Sequence, residues 1–119
     1  MDRNHISKIA IFYTLVLLIL SIIPVPEIGF PRFHLFEFDK LMHFFVYFSL
    51  TILWYFAFEI FYNSYLKLLL SAIFFGFVLE IFQYLFSFGR YFDLADLLAN
   101  TLGVIFGIII LYYLKKKLL

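Results

Sequence analysis

The stretch Leu97-Leu98-Ala99-Asn100-Thr101-Leu102-Gly103-Val104-Ile105-Phe106-Gly107-Ile108-Ile109-Ile110-Leu111-Tyr112-Tyr113-Leu114 decides the fold. It holds no charge from end to end, and it is long enough to cross a bilayer as a helix, which takes about 20 residues with a range of roughly 17–25. Strands in isolation would leave backbone groups unpaired in lipid, so the helix is the form to expect. Three more apolar runs precede it. Ile9–Ile23 is stopped by Pro24-Val25-Pro26, Leu41–Phe58 is broken only by His43, and Leu68–Phe86 is broken by Glu80 and Gln83 near its end. The first reaches spanning length if Lys8 snorkels to the surface. The residues after it lack a small-x-small cleavage site, so it reads as a retained helix and not a signal peptide. The sequence therefore predicts an all-α polytopic membrane protein. Its single domain is a compact bundle of four transmembrane helices, with spans of about 7–24, 40–60, 66–87 and 95–114.

Composition excludes the competing classes. Of 119 residues 66% are hydrophobic and 14% charged, against about 45–50% and about 25% in soluble domains. So short a chain cannot hide that much apolar surface from water. The absence of cysteine removes disulfides, thiol catalysis and thiolate metal sites. A net charge of +1 supplies no basic field for nucleic acid. With four spans, both termini share a side with the loop around Tyr62–Lys67. That side holds Arg3, Lys8, Lys67, Lys115, Lys116 and Lys117, against Arg32, Lys40 and Arg90 on the other. The positive-inside rule places both termini in the cytoplasm of a cell-membrane protein, with loops 24–40 and 87–96 outside.

The polar residues inside the spans converge. Asp39, Lys40, His43 and Tyr47 fall within an arc of ~100° on the second helix, and Gly76, Glu80 and Gln83 within ~60° on the third. Asp93, Asp96, Asn100, Gly103 and Gly107 form one stripe of the fourth. All three sets lie toward the outer face, with Tyr47, Glu80 and Asn100 roughly 5–12 Å below it. Polar groups at that depth are costly in lipid and belong in a shared interior or a wet cavity. Two helix N-termini point the same way, and with Lys40 and Arg90 they suit an anion such as a phosphate. Glu80, Gln83, Asp93, Asp96 and Asn100 also offer hard oxygen ligands for a divalent cation. Plainer roles compete with these. Asp39 and Asp93 sit where they would cap helices, Asn100 and Gln83 can bond across helices, and Gly103 and Gly107 permit close packing. Arg90 and Lys40 can equally anchor to lipid phosphates at the interface. An acid as deep as Glu80 needs a partner or a proton, and His43 is suited to acid–base work by its intrinsic pKa.

The segment Asp39-Lys40-Leu41-Met42-His43-Phe44-Phe45-Val46-Tyr47 resembles the opening motif of VanZ-like membrane proteins. Glu80-x-x-Gln83, Gly89-Arg90 and Asp96-x-x-x-Asn100-x-x-Gly103-x-x-x-Gly107 follow in that family's order, so the likeness covers about residues 39–107. The resemblance implies a compact helical membrane domain of bacterial type. The name-giving member is associated with low-level resistance to the glycopeptide teicoplanin, and the family has been placed beside enzymes acting on phospholipid or lipid-linked headgroups. The positions carried over are Asp39, Lys40, His43, Tyr47, Glu80, Gln83, Arg90, Asp96 and Asn100.

The leading expectation is an enzyme of phosphoester transfer or hydrolysis on a membrane lipid or lipid-linked cell-envelope precursor. His43 is then the acid–base or nucleophilic group, oriented by Asp39 or Glu80. Lys40 and Arg90 hold the phosphate, Tyr47, Gln83 and Asn100 line the site, and Glu80 and Asp96 act as a second acid–base pair or as metal ligands. The alternatives are a non-catalytic module binding lipid or lipoglycopeptide, a small transporter, and a bundle whose polar residues serve only as glue.

Overall fold

A computed structural model describes residues 3–22, 32–86 and 94–118, with side chains over 4–21, 40–85 and 94–115. The described chain is helical: α1 (Arg3–Ile22), α2 (Arg32–Ala57), a short 3-10 turn (Glu59–Phe61), α3 (Tyr65–Phe86) and α4 (Leu94–Leu118). All four long helices contain a window long and apolar enough to cross a membrane. Their outward faces are strongly apolar, with Phe12, Phe74 and Leu66 each about two-thirds exposed. Such a surface is stable facing acyl chains and not water. The expected four-helix bundle is therefore the observed one.

α2 begins earlier than the sequence suggested. Its helix starts at Arg32, although the apolar window starts only at Lys40. Hydropathy marks where a helix is immersed and is blind to turns that continue past that boundary.

Local chemistry fixes the tight connection between α2 and α3. The 3-10 turn carries the chain round through Phe61 N–H to Phe58 O and Tyr62 N–H to Glu59 O. Ser64 then caps α3, its Oγ accepting the Lys67 N–H at 3.1 Å. Aromatic rings close this end of the bundle. Trp54 stacks on Phe61 and tilts against Phe75, while Tyr65 sits between Tyr55 and Tyr112.

α2 and α4 form the most extensive helix pair, and they run parallel. Glycine makes the close approach possible. A Cβ on Gly103 would collide with the Phe44 carbonyl and lie 3.0 Å from Phe48 N. A Cβ on Gly107 would lie 3.0 Å from the Thr51 Cβ and 3.2 Å from Phe48 O. Small residues are what let helix backbones meet this closely in lipid. α1 packs on α2 and α3 and, among the described residues, does not touch α4. Hydrogen bonds tie it down, among them Ser7 Oγ to Ala57 O, Tyr13 OH to Val46 O, and Trp54 Nε1 to Thr14 Oγ1.

Candidate functional site

The parallel register of α2 and α4 builds the site. Lys40 lies opposite Asp96, and its Nζ donates to Asp96 Oδ1. One turn further on, His43 lies opposite Asn100, with Nδ1 2.8 Å from Asn100 Oδ1. The other ring nitrogen, Nε2, faces Asp96 Oδ2 at 3.6 Å. One carboxylate thus faces an ammonium with one oxygen and an imidazole with the other. An amide oxygen turned to the ring suits the tautomer with the hydrogen on Nδ1, in which Nε2 is the atom to exchange a proton. The Lys40 and Asp96 side chains keep only 18% and 10% of their exposure, so their attraction is little screened.

α3 closes this arrangement from a third side. Gly76 lies where Tyr47 and Asn100 meet, and a Cβ there would stand 3.1 Å from the Tyr47 ring and 3.4 Å from Asn100 Nδ2. Asn100 is 2% exposed, and among the described residues its Nδ2 has no hydrogen-bond acceptor. One turn after Gly76 comes Glu80, also 2% exposed and within electrostatic reach of the Tyr47 phenol.

A cavity of about 130 Å³ adjoins these groups, lined by His43, Tyr47 and Gln83 together with Leu17, Leu20, Ser21, Met42, Val46 and Leu79. It has a polar side from α2 and α3 and a largely apolar wall from α1. Such a lining has room for a small polar group beside the imidazole and for hydrocarbon against leucine.

The structure brings together Lys40, His43, Tyr47, Gln83, Asp96 and Asn100, with Glu80 buried at the same end. Asp39 is in α2 with its side chain outside the described residues, and Arg90 and Asp93 lie outside them altogether. The contacts described on His43 come from α4, through Asp96 and Asn100, where the sequence pointed to Asp39 or Glu80. Lys40, expected to await a phosphate, already has a carboxylate. Among the described residues no three His, Cys, Asp or Glu side chains gather as metal ligands, and Asp93, one of the oxygens the sequence offered to a cation, lies outside them. Sequence reasoning missed the α1 wall. Ser21, a polar residue at the end of the first run and 1% exposed, was the available signal.

The chain is 35% identical over 83 residues to an uncharacterized protein of the fission yeast Schizosaccharomyces pombe. The match covers 67% of this chain and 51% of that protein, so the chain spans about half the length of this curated relative. That likeness reaches a eukaryote, and the bacterial type implied by the motif resemblance does not follow from it. No solved structure matches the chain. The family model described as VanZ/LLP1 matches residues 3–116, running through all four helices and every polar contact described above. The chain belongs to the VanZ/LLP1 family.

Proposed function

We propose that the polar end of the bundle binds the headgroup of a membrane lipid or lipid-linked cell-envelope precursor and catalyses transfer or hydrolysis at its phosphoester. The observation that carries this reading is His43, held by Asn100 through Nδ1 and facing Asp96 through Nε2, beside a cavity with one apolar wall. Water or an acceptor hydroxyl gives its proton to Nε2 as its oxygen attacks phosphorus. The bond from phosphorus to the leaving oxygen breaks, and that oxygen takes the proton back from the ring. Asp96 offsets the positive charge the ring holds meanwhile. Lys40 exchanges its carboxylate partner for the phosphate, which frees Asp96 to serve the imidazole alone. Tyr47 and Gln83 line the headgroup space.

The same reading sets the polar end outside a cell membrane and both termini in the cytoplasm, as the lysine and arginine distribution favours. It makes a role in glycopeptide resistance a matter of altered envelope lipids. Purified protein with radiolabelled phospholipids and polyprenyl-linked precursors should release or exchange headgroups. His43→Ala should lower the rate at least about a hundredfold, the usual scale for a general acid–base group. Identical null activity in both proteins would remove catalysis from the reading.

A non-catalytic binding module is the second reading, favoured by the Lys40–Asp96 pair, which is already neutralised. Saturable binding without turnover identifies it. A transporter is opposed by the rings of Trp54, Phe61, Phe75, Tyr55, Tyr65 and Tyr112 at the other end, which offer an ion or polar solute no continuous lining.

A further inference from the structure

The last two turns of α1 are held differently from the rest. Ser7, Tyr13 and Thr14 each bond to α2, and all three lie before Leu15. Beyond Thr14 the side-chain hydrogen bond described is internal, from Ser21 Oγ to Leu18 O. Yet this part of α1, after Thr14, is the one that walls the cavity, through Leu17, Leu20 and Ser21. Apolar contact alone is weakly directional, and in lipid an acyl chain replaces a leucine neighbour at little cost. The wall between the cavity and the bilayer is therefore the least firmly fixed part of the site.

The position of a mouth can be read from exposure. Leu20 and Met42 both line the cavity, and both also face outward, at 55% and 46% exposure. They stand on α1 and α2 respectively and flank the seam between those helices. Leu79, the α3 residue on the far side, is buried at 4%. The volume limits what can be enclosed. About 130 Å³ is close to the ~150 Å³ cavity that admits benzene. One phosphate-sized group fills it, and any chain attached to that group must leave through the wall.

We propose that the cavity opens sideways between Leu20 and Met42, and that its occupant is a lipid which enters from within the bilayer. The small polar head reaches His43, Tyr47 and Gln83, while the acyl chain lies against Leu17 and Leu20 and continues into the membrane. This rests on the reading of the polar end as a lipid-headgroup site, and it adds the route and the requirement for a chain.

The chain has no cysteine, so a Leu20→Cys/Met42→Cys pair can be bridged selectively, by a disulfide or a short bis-maleimide. The full-length protein is reconstituted in phosphatidylcholine vesicles containing phosphatidic acid with a diazirine in its acyl chain, irradiated, and its peptides mapped by mass spectrometry. Label on Leu17 and Leu79 should fall at least tenfold when the pair is bridged and return when a disulfide is reduced. Outward-facing Phe74 should be labelled equally throughout. Label on Leu17 and Leu79 unchanged by bridging overturns the sideways route while leaving the headgroup site standing. No label there in the unbridged or native protein overturns both. Met42→Trp narrows the same mouth without cysteines and should lower that label as well; should the pair not fold, unchanged label in this folded variant overturns the route.

Discussion

Gly103 carries the severest steric constraint of the described glycines. A methyl group there collides with the Phe44 carbonyl, a backbone atom that cannot swing aside. Gly103→Ala should force α2 and α4 apart and cost about 1–3 kcal/mol, the usual scale of overpacking. Gly107→Ala meets atoms at 3.0–3.2 Å and should cost less. Thermal unfolding in detergent should rank Gly103→Ala below Gly107→Ala, and equal stabilities would contradict the seam. The Lys40–Asp96 pair makes a different demand. Removing one partner takes from the other charge its nearest counter-ion, so Asp96→Asn or Lys40→Met alone should each cost roughly 3 kcal/mol, the low end for a buried pair because Lys40 keeps some exposure. A Lys40→Met/Asp96→Leu double variant should recover much of that loss in the same melts. In the proposed reaction Asn100 acts through His43 as a positioning residue. Asn100→Leu should lower headgroup turnover roughly five- to tenfold, the worth of one hydrogen bond. Asn100→Asp keeps an acceptor on Nδ1 and should retain more activity at equal stability.

At the scale of elements, the sequence was informative about what each helix presents and uninformative about what it meets. Spacing within α2, α3 and α4 was enough to collect Lys40, His43, Tyr47, Glu80, Gln83, Asp96 and Asn100 at one end, because helical periodicity is a property of a single strand of text. The pairing of Lys40 with Asp96 and of His43 with Asn100 depends on the axial offset between two helices, which no periodicity contains. α1 was invisible for another reason. Its contribution to the cavity comes from leucines, and leucines facing a cavity look like leucines facing lipid. Its anchoring was equally hidden, since no spacing in the sequence pairs Trp54 with Thr14, to which its indole donates at 2.9 Å. Trp54→Phe and Thr14→Val should each lower stability by about 1 kcal/mol. The double variant should cost clearly less than their sum, and strict additivity would show that the two side chains do not interact.

The whole molecule is polarised along its 49 Å length. The Lys40–Asp96 and His43–Asn100 contacts lie at one end of the spans, and the clustered rings of Trp54, Phe61, Tyr55 and Tyr65 at the other. Which end faces the cell exterior decides what the site can meet. Single cysteines at Asn4, Asn63 and Leu94 test this, as all three positions are exposed. In intact cells a membrane-impermeant maleimide should label Leu94→Cys and spare the other two. Labelling of Asn63→Cys instead would turn the site toward the cytoplasm.

The shared direction of α2 and α4 has one more consequence. Two parallel rods in fixed phase behave like a vernier, in which one added division disturbs every mark on one side of it. A single alanine inserted after Asn100 would turn the preceding part of α4 by about 100° and shift it by about 1.5 Å. Gly103 and Gly107 would stay meshed with α2, but Asp96 and Asn100 would rotate away from Lys40 and His43. Every side chain of the site would still be present, and the assembly they form would be gone.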